Sequence, residues 1–191
     1  MEVNKVIGEE ELANLCSKGD ILARKELYTK YAAWLTMICS RYADSGVEAK
    51  DLMHDSMVEV FRSIKNFEYR GHGSLRAWIR SIAVNTAIDK KRKHFFYNTI
   101  DLQDIQNEIA YVHPDEADSV PLSVLKTMIS ELPETKRVIF CLYCIEGFSH
   151  RQISDRLGIT ENASSSMLSK AKKMLALKIK AYLKKKRITD E

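Results

Sequence analysis

Two clusters of residues in this 191-residue chain could do chemistry on a polyanion. Residues 69–94 hold seven basic side chains against one acidic, and residues 170–191 hold nine against two. Lysine and arginine at this density suit phosphate, because each one placed against a phosphate releases condensed counterions. Within the first cluster Asn85, Asp89 and Arg92 recur at i, i+4 and i+7 and share one side of a helix. An asparagine there can read a base edge, while Arg76, Arg80 and the run Lys90, Lys91, Arg92 and Lys93 can hold phosphates. The loop Glu68–Gly73 just before it carries Tyr69 and two glycines, a place for an unstacked base to enter a pocket. A different chemistry belongs to Asp51 and Asp55, four residues apart beside Leu52 and Met53: an acidic, partly apolar surface for a partner helix. The terminal run Lys184–Arg187, taken alone, reads as a solvated tail.

Other chemistries find no residues to carry them. Cys141 and Cys144 have C-x-x-C spacing, but they lie inside an apolar stretch with only His150 close by, so buried structural cysteines are expected rather than a metal site. His54 and His72 lack neighbouring ligands or carboxylates that would complete a metal or catalytic set. There is no phosphate-cradling glycine loop, nucleophile elbow or H-E-x-x-H pattern. No enzyme, no cofactor and no metal are expected. The longest apolar run, Val138–Ile145, is far short of the roughly 20 residues a bilayer needs, so no membrane insertion is expected. Four cysteines without a visible export signal read as reduced thiols of a cytoplasmic protein. A hydrophobic fraction of 45% predicts a folded chain.

The elements that must position these residues are helices. Apolar positions recur at helical spacing, and sustained apolar/polar alternation bounded by turn residues is absent. All three prolines, Pro114, Pro121 and Pro133, lie in one stretch, and no glycine occurs between Gly73 and Gly147. Residues 95–120 hold six acidic side chains and no basic one, which predicts a linker between two helical domains. Four helices are expected before it. A short one spans Glu9–Ser17. A second is capped by Asp20, with Leu27, Tyr31, Leu35, Ile38 and Tyr42 inward. A third runs from about Glu48 to Asn66, with Leu52, Met57, Val60, Phe61 and Ile64 inward. A fourth is capped by Ser74, with Leu75, Trp78, Ile79, Ile82, Ala83 and Ile88 inward. After the linker come a short helix with Leu122, Leu125, Met128 and Ile129 inward, and a buried helix over Lys136–Ile145. Then Ser149 and Gln152 make a capping box, Gly158 permits a tight turn, Ile159 plugs it, and Thr160 caps a final helix burying Leu168, Ala171 and Leu175. That arithmetic of caps, glycine and apolar positions predicts a helix-turn-helix, which sets its second helix in a major groove.

Three of these stretches, in order, resemble an RNA polymerase sigma factor of the extracytoplasmic-function (ECF) type: Glu48–Phe61, Ser74–Arg92 and Leu132–Leu175. The resemblance implies an all-α fold of two small helical domains joined by an acidic linker, with boundaries at 9–94, 95–120 and 121–187. It implies docking on core RNA polymerase through Asp51, Leu52, Asp55, Val58 and Phe61. It assigns Arg76, Arg80, Asn85, Asp89, Arg92 and Lys93 to the minus-ten element of promoter DNA, melted and held by its non-template strand. Duplex readout of the minus-thirty-five element falls to Ser165, Ser166 and Ser169, with Lys170, Lys172 and Lys173 on phosphate. An anti-sigma factor is a further partner that the family admits, and the family's connector threads an acidic strand toward the polymerase cleft. The recognition helix departs from the family's usual basic opening: Met167 stands where a basic residue meets DNA, and Ser164 where an apolar one packs. Two other readings use the same residues, a stand-alone duplex-binding regulator and a helical protein that sequesters a partner. A duplex-only regulator does not need an acidic docking face followed by a basic strand-binding helix.

Overall fold

The computed structural model describes residues 7–98 and 120–189, with side chains at 93, 94, 96–98 and 187–189 left aside. Among these residues there are eight α-helices and no strand. No helix of the described residues is long and apolar enough to cross a membrane. The chain divides into two compact units, Met1–Lys90 and Lys91–Glu191.

The first unit contains α1 (Glu9–Ser17), α2 (Ile21–Cys39), α3 (Gly46–Ser63), a 3-10 turn (Ile64–Asn66) and α4 (Ser74–Asn98) as far as Lys90. Gly19, at φ 87°, turns the chain after α1, and the Asp20 carboxylate accepts the Ala23 amide at 2.8 Å to open α2. Leu27, Tyr31, Leu35 and Ile38 then form one buried stripe of α2, while Tyr42 is buried beyond the helix end. α3 starts earlier than its sequence signals indicate. Ser45 is the cap, accepting the Glu48 amide at 3.1 Å, and Glu48 reaches back to the Asp44 amide at 2.7 Å. The inner side of α3 is Ala49, Leu52, Met53, Ser56, Met57 and Val60. The wholly buried Ser56 hydroxyl donates to the Leu52 carbonyl at 2.6 Å, which removes the cost of burying it. α4 buries Leu75, Ile79, Ala83, Val84, Ala87 and Ile88.

Two boundaries differ from expectation around α4. The helix is opened by Gly73, whose carbonyl accepts the Ala77 amide, and Ser74 is its first helical residue, not its cap. At its other end α4 continues to Asn98, through Phe95, which had been assigned to the linker and is buried. A change from basic to uncharged residues does not stop a helix; that needs a glycine, a proline or a competing cap, and none occurs there. The remainder of the acidic stretch, 99–119, lies outside the described residues.

The second unit contains α5 (Leu122–Ser130), α6 (Glu134–Phe140), α7 (His150–Leu157) and α8 (Glu161–Thr189). Val120, Met128, Leu132, Ala171, Leu175 and Ile179 form a core between α5 and the distal part of α8. Leu122, expected inward, is the first residue of α5, 68% exposed and outside that core. The buried Arg137 donates to the carbonyls of Ser130 and Leu132, both at 3.1 Å, and so satisfies the C-terminal end of α5 with a cation. Lys136–Ile145 is not one regular helix: Cys141–Ile145 is wound as a π-helix, and Tyr143 and Cys144 are exposed beyond buried Cys141 and Leu142. The helix-turn-helix follows as its sequence predicts. Ser149 and Gln152 form the reciprocal capping box, Gly158 is left-handed at φ 71°, and the Thr160 hydroxyl accepts the Ala163 amide at 3.1 Å.

Two residues at the start of α8 change the expected surface. Met167 is 5% exposed, so it belongs to the core and not to the DNA-facing side where a basic residue was expected. Ser164 is wholly buried, and its hydroxyl shares a 2.9 Å hydrogen bond with His150 Nδ1, which explains how a serine fills an apolar position. The Tyr143 ring stacks on the same imidazole at 4.6 Å.

Met167→Lys, the basic residue favoured by the family pattern, should bury a charge and lower stability by about 3 kcal/mol in urea unfolding. Undiminished stability with tighter duplex binding would contradict the burial. Burial also raises the Cys16 and Cys39 thiols to about 11, and a raised pKa keeps a thiol protonated, hence unreactive, below that value. Partial burial pushes the Cys144 thiol up as well, so exposure decides: at pH 8 iodoacetamide should label exposed Cys144 first, with buried Cys16, Cys39 and Cys141 reacting only on unfolding, as read by mass spectrometry.

Candidate partner and nucleic-acid surfaces

α3 presents its acidic side to solvent because its apolar stripe faces the core. Asp51, His54, Asp55 and Val58 are exposed at i, i+3, i+4 and i+7, one continuous outer face, with Val58 57% accessible at its apolar end. Leu52 is 1% exposed, and this corrects its assignment to the docking set: the stripe that makes α3 pack also removes Leu52 from any partner. Phe61 is half-buried, with the Arg24 guanidinium 5.8 Å from its ring centroid. Sequence reasoning missed two members of this surface. His54 lies among the carboxylates, and Tyr28 of α2 meets it, its hydroxyl 3.3 Å from Nδ1 and the rings stacked at 6.1 Å. The i+3 spacing from Asp51 signals His54; nothing local signals Tyr28, which is 26 positions away.

Asp55 also pairs with Lys90 of α4 at 3.4 Å, both side chains substantially exposed. The acidic face thus borders the basic helix. On α4 the structure brings Asn85, Asp89 and Arg92 to one exposed side. Arg76 is exposed too, but nine residues before Asn85 it stands about half a turn out of phase, with its guanidinium 4.5 Å from the Trp34 ring centroid. Arg80 is half-buried. The expected outer face is therefore two surfaces, an Arg76–Trp34 stack near the start of α4 and the Asn85–Asp89–Arg92 side further on. The Lys93 side chain lies outside the described residues. Trp78 is half-buried with its ring 5.3 Å from Phe67, an aromatic pair under the loop that enters α4.

In the second unit Ser165, Ser169 and Lys172 are exposed along α8, while Ser166, Lys170 and Lys173 are half-buried at its flanks. Lys172 lies 5.8 Å from the Tyr143 ring centroid. Asn162 was not anticipated. It is exposed in the first turn of α8, and with Ser165, Ser169 and Lys172 at i+3, i+7 and i+10 it completes one outward stripe. A recognition helix contacts base edges chiefly through its N-terminal residues, so Asn162 has the side chain and the position for adenine readout. Its signal in the sequence is the helical spacing to Ser165, Ser169 and Lys172. Among the described residues no three His, Cys, Asp or Glu side chains converge on a metal site.

Two family models match the chain: Sigma-70 region 2 over residues 27–95 and Sigma-70 region 4 over residues 122–175. The RNA polymerase sigma factor NccH of Alcaligenes xylosoxydans xylosoxydans is 22% identical, covering 87% of this chain and 92% of its own length. The ECF RNA polymerase sigma-E factor of Salmonella typhimurium is 23% identical over 96% of this chain and 100% of its own. The ECF RNA polymerase sigma factor SigM of Mycobacterium tuberculosis is 23% identical over 83% and 78%. With a region 2 match on the unit that pairs an acidic face with a basic helix, and a region 4 match on the helix-turn-helix, the chain belongs to the ECF sigma factors, which direct promoter recognition in bacterial transcription initiation.

Proposed function

We propose that this chain binds core RNA polymerase through Asp51, His54, Asp55 and Val58, and captures the melted non-template strand with the Asn85–Asp89–Arg92 side of α4 and the loop before it. The helix-turn-helix anchors the upstream duplex, with Asn162, Ser165 and Ser169 at the groove and Lys170, Lys172 and Lys173 on phosphate. The domain division that goes with this reading takes docking and melting to the end of α4 at Asn98 and the minus-thirty-five element from Val120 onward, with the connector between them. The chain contributes no catalysis of its own and works in the cytoplasm, where transcription takes place. Regulation by an anti-sigma factor is part of the same proposal and rests on the family alone. One observation supports it: the acidic stripe of α3 and the Asn85–Asp89–Arg92 side of α4 are both exposed, on two different helices. Docking therefore leaves the strand-reading side accessible. A duplex-only regulator has no use for the first surface.

The division of labour is testable with two variants. Asp51→Arg/Asp55→Arg should weaken binding to purified core polymerase roughly a hundredfold while leaving the circular dichroism spectrum and melting temperature near native. Asn85→Ala should bind core normally and form about tenfold less open complex at a promoter the native chain opens. Core binding that survives the double reversal moves the docking face elsewhere. Loss of core binding and opening together in folded Asn85→Ala contradicts the separation of the two surfaces.

A further inference from the structure

α4 begins at a residue that cannot cap it. Gly73 has no side chain and sits at φ 87°, and its carbonyl accepts the Ala77 amide at 3.0 Å, the first turn of the helix. The loop before it is held by two local bonds: the Ser74 amide donates to the Gly71 carbonyl at 3.1 Å, and the Ser74 hydroxyl accepts the Arg70 amide at 3.2 Å. A third bond comes from outside. The Gly73 amide donates at 2.8 Å to Glu9 Oε2, a carboxylate 64 positions away on α1. The other carboxylate oxygen accepts the Tyr31 hydroxyl at 3.3 Å. Burial first, and then the Glu9 charge, push the Tyr31 hydroxyl up to about 12, so it stays a donor at any physiological pH. Glu9 is thus gripped from the core side by Tyr31 and grips the loop in turn. Its negative charge also lies at the positive end of the α4 dipole.

This arrangement serves neither surface directly. Glu9 is half-buried on α1, and α1 precedes the stretch matched by the region 2 model. What Glu9 constrains is Phe67–Gly73, a loop with Gly71 at φ 107° and Gly73 at φ 87°, residues with the largest backbone freedom to lose. We propose that Glu9 is a positioning residue for promoter opening: its carboxylate fixes the loop and the start of α4 in the conformation that receives an unstacked base of the non-template strand. The proposal rests on the strand-capture role of α4 given above and adds a residue outside it.

The experiment uses the full chain with purified core polymerase and a promoter fragment on which the native chain forms a permanganate-reactive bubble. Glu9→Ala should keep native affinity for core and lose open complex by roughly tenfold, the value of one charge-assisted hydrogen bond. Glu9→Gln, which keeps a carbonyl acceptor for the Gly73 amide, should recover most of the loss. Hydrogen exchange read by mass spectrometry should speed up in Glu9→Ala over residues 67–77 and be unchanged in α3. Cys16→Ala, a cavity on the same helix away from the loop, lowers thermal stability without this signature. Native opening by Glu9→Ala, or unchanged exchange over 67–77, overturns the proposal. So does parallel loss of core binding and opening, which would mark a general role in folding. A native chain that binds core but opens no promoter instead fails the strand-capture reading, and that result is distinct because it appears before any variant is compared.

Discussion

Short helices in small units leave many backbone groups without partners, and satisfying those ends is the constraint on which both units turn. The apolar stripes supply the driving force for assembly, but a stripe slides and rotates more readily than a capped terminus. Here the ends are fixed by side chains of several kinds. Asp20 opens α2, Ser45 with Glu48 opens α3, and Ser149 with Gln152 opens α7. Buried Arg137 closes α5 by donating to its last carbonyl, Ser130, and to that of Leu132 just beyond it. Glu9 holds the residue that opens α4. Each cap sets where a helix starts or stops, while its apolar stripe sets which residues face outward.

The outward faces follow from this phase. On α3 the inner stripe of Ala49, Leu52, Met53, Ser56, Met57 and Val60 leaves Asp51, His54, Asp55 and Val58 outside. On α8 the inner set of Ala163, Ser164, Met167, Leu168 and Ala171 leaves Asn162, Ser165, Ser169 and Lys172 outside. An acidic, apolar-tipped stripe suits a partner helix, where a few desolvated contacts carry the binding energy. A polar stripe beginning in the first turn of a helix after a tight left-handed turn suits a major groove. The polar side of α4 suits bases that have left the duplex, since asparagine offers both donor and acceptor to an exposed base edge.

What was legible in the sequence was what depends on near neighbours. The stripe of α2, the Asp20 cap and the Ser149–Gln152 box with Gly158 and Thr160 are each encoded within a few residues, and each is present. Leu52 shows the limit of treating a residue by type: it was placed both on the inner stripe and in the docking face, and burial allows only the first. Met167 follows Ala163 and precedes Ala171 by four residues each, so periodicity alone puts it inside, against the family pattern. Tyr28 beside His54 and Glu9 on Gly73 join residues 26 and 64 positions apart, and no local pattern announces a contact that only the assembled unit creates. Likewise the shift in charge after His94 marked a change of composition that the backbone of α4 ignores.

The proposed function gives the outer faces of α3 and α4 two different partners. Site-specific photo-crosslinking in the assembled complex of core polymerase, full chain and promoter tests it most directly, with the crosslinking side chain placed at position 58 or at position 85. The account predicts that position 58 on α3 attaches to polymerase protein and that position 85 on α4 attaches to the non-template strand. Attachment of both positions to the same partner, or of position 58 to DNA, would contradict it.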